Sequence, residues 1–124
     1  MKLTPEEELE KFKEELLFLR KVEMVIVEGA NDRKALKIFK VKRIITLGQP
    51  RYKVIEICKK EVAIITDLDA EGKRIYATLR SEFSRRGVKI NDRFRKFLFK
   101  HTRLRQIEGL ETYINHLRQK AKYD

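Results

Sequence analysis

The sequence contains little cysteine, histidine, proline or glycine, and no tryptophan. A single cysteine, Cys58, excludes an internal disulfide. Because the chain also has only two histidines, we expect no structural zinc site. No apolar run approaches the roughly 20 residues that a membrane helix needs, and the acidic N-terminal segment lacks the apolar stretch of a secretion signal. With 124 residues and no linker rich in proline or serine, we expect one domain in the reducing cytoplasm, without a membrane partner.

Positive charge is abundant: 30 Lys and Arg residues stand against 19 Asp and Glu, for a net charge of +11. Residues 85–105 alone carry nine basic residues and one acidic residue, so nine minus one gives +8. Such a segment is typical of a surface that binds phosphates, although a solvated helix face without a ligand is the alternative. Phe94, Phe97 and Phe99 lie within this segment, and we expect their rings in the core. The residues predicted to bind nucleic acid, either RNA or DNA, are Arg93, Arg95, Lys96, Lys100, Arg103 and Arg105.

Hydrophobic periodicity predicts strands that alternate with helices. Short β-branched runs predict four strands, at residues 23–27, 43–47, 61–66 and 88–90. Amphipathic spacing predicts helices over residues 5–21, 32–40, 51–60, 70–86 and 92–100, with a last helix around 110–117. Strands that are apolar on both faces indicate a parallel sheet covered on both sides, and therefore a single doubly wound α/β domain. We expect its core in residues 22–90, preceded by the helix at 5–21 and followed by a basic C-terminal extension at 91–124.

Acidic side chains follow the first and third predicted strands. Glu28 ends the first strand and Asp32 comes one helical turn later, whereas Asp67 and Asp69 end the third strand. Ligands of such folds bind outside the carboxyl ends of the strands, where we expect these four acids to converge. Each acid alone could be a loop acid or a helix cap. Together they predict a site for a hard divalent cation, Mg²⁺ or Mn²⁺, to which Glu108 is a further candidate ligand.

At these residues the sequence resembles a Toprim domain. Residues 25–32 read VIVEGAND and residues 64–72 read IITDLDAEG, which matches the family order of a strand ending in Glu-Gly and a later strand ending in Asp-x-Asp. Topoisomerases, bacterial-type primases and the nucleases that mature 5S ribosomal RNA share this domain. The resemblance covers roughly residues 22–90 and implies that Glu28 is the general acid or base. It also implies that Asp67 and Asp69 bind magnesium and that Asp32 joins the metal shell.

Three functions follow from these residues and this resemblance. The first is an enzyme, a magnesium-dependent endonuclease or RNA-processing nuclease, and the second is a non-catalytic nucleic-acid-binding module of a larger complex. The third, a receiver domain, fits poorly with the basic surface and the Asp-x-Asp pattern. We also expect Gly29 and Gly72, beside the acids, to permit close approach of the backbone.

Overall fold

A computed structural model describes residues 2–123 of the chain as a four-stranded sheet with helices on both faces. The strands are β1 (Met24–Val27), β2 (Ile44–Thr46), β3 (Glu61–Ile64) and β4 (Lys89–Ile90). The helices are α1 (Pro5–Lys21), α2 (Ala30–Ile38), α3 (Arg51–Ile57), α4 (Ala70–Arg85), α5 (Arg93–His101) and α6 (Leu110–Tyr123), with a 3-10 turn at Ile107–Gly109. Every predicted strand and helix is present, and most ends are displaced by no more than three residues. The last helix is the exception, because it continues to Tyr123, six residues beyond the predicted end at 117. No helix within residues 2–123 is both long and apolar enough to cross a bilayer.

The strands are all parallel and lie in the order β2-β1-β3-β4. Val25 of β1 pairs with Ile44 on one side and with Ala63 on the other. The chain therefore adds β2 on one side of β1 and then returns to add β3 on the opposite side. This reversal between β1 and β3 is the point at which doubly wound sheets bind ligands. The predicted fold class, a doubly wound α/β domain, is confirmed.

Alternate side chains of the sheet enter two separate hydrophobic cores, because successive residues of a strand point to opposite faces. Val25, Val27 and Ala63 pack under one layer of helices, and Ile26 and Ile64 pack under the other. The first layer consists of α1, α2, α5 and α6, and the second consists of α3 and α4. Both faces of the sheet are thus covered, which explains why its strands read as continuous apolar runs.

The basic C-terminal segment is part of the larger core and not an appendage to it. Phe94 and Phe97 of α5 are buried against Phe12 of α1, with ring centroids 6.0 and 6.3 Å from that of Phe12. Leu110 at the start of α6 is fully buried in the same cluster. Phe99 is different: it is 57% exposed, so the prediction that its ring lies in the core is wrong. Because Phe94 and Phe97 turn toward α1, the helical period leaves Phe99 on the solvent side of α5.

Side-chain hydrogen bonds fix the start of α1 and the start of β3. Thr4 and Glu7 form a capping box at the start of α1, where the Thr4 hydroxyl accepts from the Glu7 amide and the Glu7 carboxylate accepts from the Thr4 amide. Glu23, just before β1, accepts hydrogen bonds from the backbone amides of residues 59, 60 and 61 through one carboxylate oxygen. That contact ties the entrance of β3 to the entrance of β1 and so helps to set their register.

Candidate functional site

Four carboxylates gather at the carboxyl ends of β1 and β3. Glu28 follows the last residue of β1, and Asp32 lies in the first turn of α2. Asp67 and Asp69 lie in the segment between β3 and α4. These four residues are called the acidic rim below. They occupy the reversal point of the strand order, which is the edge of the sheet predicted for the site.

The acidic rim is cross-linked through backbone amides. The Asp67 amide donates to Oε2 of Glu28 at 2.7 Å, which joins the ends of β1 and β3 directly. The Ile107 amide donates to Oδ1 of Asp67 at 2.9 Å, which attaches the segment before α6 to the same place. Glu28 and Asp67 therefore hold together parts of the chain that are about 40 residues apart in sequence.

The other two carboxylates cap helices. Oδ2 of Asp32 accepts from the Gly29 amide at 3.1 Å at the start of α2. Oδ1 of Asp69, the N-cap of α4, accepts from the Gly72 amide at 2.8 Å. Capping was the structural alternative to a site for both residues, and the structure shows that they do cap. Capping engages one oxygen of Asp69 and leaves the other for a second role, whereas Asp32 accepts a further backbone hydrogen bond from Glu108.

Mutual repulsion is visible in the acidic rim. Burial raises the pKa of Glu28 above its usual value, and the charges of Asp67, Asp32 and Asp69 raise it further, while the hydrogen bond from the Asp67 amide opposes the shift. Burial also raises the pKa of Asp32, and the charges of Asp67 and Glu108 add to the effect. The Glu108 carboxylate, a candidate from the sequence, therefore acts electrostatically on Asp32. A rim with these shifts favours a proton or a cation among its carboxylates.

The donor set fits a partly hydrated magnesium ion better than a closed protein cage. Within residues 2–123, no group of three or more His, Cys, Asp or Glu side chains is arranged to enclose a metal ion. Glu28, Asp32, Asp67 and Asp69, the four predicted ligands, are therefore not grouped around one ion in this arrangement. Magnesium is nevertheless commonly held by one or two carboxylates, with water and substrate phosphate oxygens completing its shell. Asp67 and Asp69 suit that partial set, because each has one oxygen without a hydrogen bond to any residue in 2–123.

One of the two predicted close approaches is present. A Cβ atom at Gly72 would overlap the backbone carbonyl of Asp67, so only glycine lets α4 start this close to the end of β3. The Thr66 hydroxyl donates to the Gly72 carbonyl at 2.7 Å and fixes this contact. At Gly29, by contrast, the nearest atom to an added Cβ is Oδ2 of Asp32 at 4.0 Å, so the expectation for Gly29 is wrong.

Arg95 is the cation built into the base of the acidic rim. It is 7% exposed, and its guanidinium donates to the Thr66 carbonyl at 2.5 Å and to the Asp67 carbonyl at 3.1 Å. Its side chain also lies over the ring of Tyr76, 4.5 Å from the ring centroid. These contacts turn Arg95 inward, so its predicted contact with nucleic-acid phosphates does not fit the structure. The sequence gives no signal for this role, since Arg95 stands in a run of basic residues.

Arg103 and Arg105 lie beside the acidic rim. The loop between α5 and the 3-10 turn is tied to the end of β3, because the Leu68 amide donates to the Arg105 carbonyl at 2.7 Å. Both exposed arginines line a groove of about 620 Å³ together with Asp69 and His116. The structure thus brings two predicted phosphate-binding residues next to a predicted metal ligand.

The remaining predicted phosphate contacts are distributed along α5. Lys96 and Lys100 are exposed on its solvent side. Arg93 is engaged elsewhere: it forms a bidentate ion pair with the buried Glu15, with contacts of 2.9 and 3.0 Å, and lies 3.6 Å from the centroid of the Phe18 ring. Its guanidinium therefore faces α1 and not the acidic rim.

Comparison with known proteins gives two close relatives. The chain is 33% identical over 110 residues to the UPF0292 protein MJ1624 of Methanocaldococcus jannaschii, and the match covers 82% of this chain and 86% of that protein. It is 32% identical to a protein of solved structure from Aquifex aeolicus, with a TM-score of 0.73 and coverage of 82% of this chain and 96% of that chain. No family model matches the sequence. Both relatives match most of their own length and about four fifths of this chain.

Proposed function

The chain belongs to the UPF0292 family, and we propose that it catalyses magnesium-dependent chemistry on the phosphodiesters of a nucleic acid, as an endonuclease or an RNA-processing nuclease in the cytoplasm. The observation that carries this proposal is the acidic rim: four carboxylates at the reversal point of the sheet, with Arg103 and Arg105 in the groove beside them. Carboxylates beside a polyanion-binding surface repel the substrate unless a cation lies between them. The resemblance to Toprim domains supports the same assignment.

Glu28 is the proton carrier in this proposal. Its carboxylate is partly buried and is held by the Asp67 amide, and its raised pKa brings its proton exchange closer to neutral pH. It would take a proton from the attacking water or give one to the leaving oxygen. Asp67 and Asp69 would hold Mg²⁺, or Mn²⁺ in its place, and the metal when bound offsets the negative charge that develops on the phosphate.

The cations around the rim would position the strand. Arg103 and Arg105 are exposed, line the groove that contains Asp69, and are anchored to the end of β3 through the Arg105 carbonyl. Such contacts fix the register of a phosphate backbone without reading its sequence. This arrangement predicts affinity that falls steeply with salt.

The test is cleavage of labelled RNA and DNA oligonucleotides in the presence of Mg²⁺ or Mn²⁺. We expect Asp67→Asn and Glu28→Gln each to lower the cleavage rate by roughly 10²–10⁴-fold, the usual contribution of a general acid or base or of a metal ligand. Removal of the metal with EDTA should abolish cleavage by the wild type. Both substitutions preserve an oxygen that can accept the hydrogen bond described above, so we expect folding to persist.

Glu71→Gln is the matched control. Glu71 lies in the first turn of α4, two residues from Asp69, but it is exposed and paired with Arg74. Its substitution should leave the cleavage rate within about twofold of the wild type, the size of a small surface effect. Wild-type rates for both Asp67→Asn and Glu28→Gln would refute the mechanism.

A non-catalytic nucleic-acid-binding module is the second candidate. It is favoured by the hydrogen bonds of the rim, because each of the four carboxylates already caps a helix or joins two segments and so has a structural role without a metal. Binding of an oligonucleotide that is unaffected by EDTA, with no cleavage under any metal, would support this candidate over the enzyme.

A further inference from the structure

An exposed aromatic ring stands on the basic surface of α5. Phe99 is 57% exposed, whereas Phe94 and Phe97 of the same helix are buried. Leaving a phenylalanine side chain in water forgoes the favourable free energy that its burial would provide. The ring is not isolated, because the ammonium group of Lys73 lies over its face, 4.8 Å from the centroid.

Phe99 forms one wall of a pocket of about 520 Å³ between the first half of α4 and the length of α5. Tyr76 supplies a second aromatic ring, and Lys73, Lys96 and Lys100 stand around the opening. The volume lies in the range of about 300–1,000 Å³ that is typical of small-ligand sites. The pocket backs onto the acidic rim, since Arg95, one helical turn before Phe99, contacts the carbonyls of Thr66 and Asp67.

The charge around this pocket is positive and is not neutralised locally. Among residues 2–123, no carboxylate lies within ion-pairing distance of Lys73, Lys96 or Lys100. The one acid that lines the pocket, Asp92, accepts hydrogen bonds from the Tyr76 hydroxyl at 2.5 Å and from Arg80 at 2.8 Å. The three lysines are therefore available to an anionic ligand that also presents a flat apolar face.

Phe18, a second exposed phenylalanine, differs from Phe99 because carboxylates as well as cations lie close to it. Phe18 is 39% exposed, with the guanidinium of Arg93 at 3.6 Å and the ammonium group of Lys21 at 5.9 Å from its ring centroid. That guanidinium is held by Glu15, and Glu14 lies 3.8 Å away. Phosphates near Phe18 would meet two carboxylates, so the two exposed phenylalanines differ in charge environment although both contact cations.

We infer that the pocket of Phe99 and Tyr76 binds one unpaired base of a single-stranded nucleic acid, which stacks on Phe99 while its flanking phosphates meet Lys73, Lys96 and Lys100. An aromatic platform within a basic groove is the combination that single strands require, because every base has a face that can stack. The bases of a duplex are already stacked on one another and cannot enter such a pocket. The inference rests on the proposed function for its class of ligand and adds the strandedness of that ligand.

The experiment measures binding in EDTA, so that cleavage does not interfere. A fluorescein-labelled single-stranded oligonucleotide of mixed sequence, as RNA and as DNA, is titrated with the protein, and its duplex is titrated in parallel. We expect Phe99→Ala to weaken single-strand binding roughly 5- to 150-fold, the effect of losing one stacked base, and to leave duplex binding unchanged. Phe99→Leu should lose most of the affinity, since leucine is apolar but cannot stack on a base. Phe99→Trp should keep the affinity, since tryptophan can stack. Phe18→Leu is the matched control and should bind as the wild type does.

A direct readout of stacking is possible because the sequence has no tryptophan. Fluorescence of Phe99→Trp should be quenched when the unlabelled single strand is added, and fluorescence of Phe18→Trp should not change. Wild-type affinity for Phe99→Leu, equal weakening of duplex binding by Phe99→Ala, or no single-strand binding at all would overturn the inference. Cleavage that depends on Asp67 with no effect of Phe99 would leave the proposed function in place. Single-strand binding that depends on Phe99, without any metal-dependent cleavage, would instead support the base-binding pocket and refute the nuclease.

Discussion

Arg95 places a positive charge beneath four negative ones. Its guanidinium satisfies the carbonyls of Thr66 and Asp67, at the point where the chain leaves β3 and turns toward α4. Burial lowers the pKa of Arg95, and the negative charges of Asp92, Glu28 and Asp67 oppose that shift. The residue therefore serves both the backbone geometry and the charge balance of the acidic rim.

We expect Arg95→Ala to lower the free energy of unfolding by about 2–4 kcal/mol, because it removes charged hydrogen bonds and leaves a buried carbonyl of Thr66 without its partner. Arg95→Lys should restore only part of this loss, since one ammonium group cannot reproduce the fork that spans two carbonyls. Urea denaturation followed by circular dichroism measures both values.

Lys96→Ala is the control, because Lys96 is the exposed neighbour of Arg95 on the same helix. It should change the free energy of unfolding by no more than about 0.5 kcal/mol. If Arg95→Ala is equally mild, the guanidinium is not needed to hold the end of β3.

The inward and outward roles within the basic segment could not be predicted from composition. Arg95 was expected to contact phosphates and is buried, whereas Phe99 was expected in the core and is exposed. Both errors have the same cause: in the run RFRKFLFKH basic and apolar residues are interleaved around the whole helix, so the periodicity alone does not fix which face turns inward. Packing of Phe94 and Phe97 against α1 decides the rotation of the helix.

Strands and helices, in contrast, follow closely from the sequence. Each of the four β-branched runs forms a strand, and the alternation of strands with helices was enough to predict a parallel sheet. Ends were less well defined: α2 begins at Ala30 and not at Asp32, because Gly29 serves as the N-cap and Asp32 reaches back to its amide. The carboxylates of the acidic rim could be predicted because the fold brings the ends of β1 and β3 together. Their individual hydrogen bonds could not, since these depend on loops such as that around Ile107.

The contact between the end of β3 and the start of α4 depends on glycine at position 72, which has no side chain. We expect Gly72→Ala to lower the free energy of unfolding by at least about 3 kcal/mol, because the new methyl group would overlap the Asp67 carbonyl and backbone atoms yield little. Thermal unfolding measures the change. Displacement of α4 would also move Asp69, so any nuclease activity should fall with it.

Gly29→Ala is the matched substitution at the other strand end. Gly29 has an extended backbone with a φ of −147° and open space around its Cα, so alanine meets no clash there. The expected cost is about 1 kcal/mol or less, the price of alanine at an N-cap. Similar losses for Gly72→Ala and Gly29→Ala would contradict a specific close approach at α4.

The domain as a unit extends beyond the predicted core of residues 22–90. The larger hydrophobic cluster takes side chains from α1, α5 and α6 as well as from the sheet, and α1 packs against both α5 and α6. The same C-terminal segment carries Arg103 and Arg105 and donates the Ile107 amide to Asp67. The basic surface and the acidic rim are therefore held in place by one core.

This arrangement predicts that the C-terminal helix unfolds together with the sheet. Leu110→Ala, in a fully buried position at the start of α6, should lower the free energy of unfolding of the full chain by about 2–5 kcal/mol in one cooperative transition, because it opens a cavity in the shared core. Leu17→Ala, at a position of α1 that is 55% exposed, should change it by about 0.5 kcal/mol or less. Denaturation followed by far-ultraviolet circular dichroism and by a probe attached near β3 should give coincident curves. Two separate transitions, with only the first sensitive to Leu110→Ala, would mean that residues 91–124 are an independent extension. The acidic rim would then have to keep its geometry without the hydrogen bond from the Ile107 amide to Asp67.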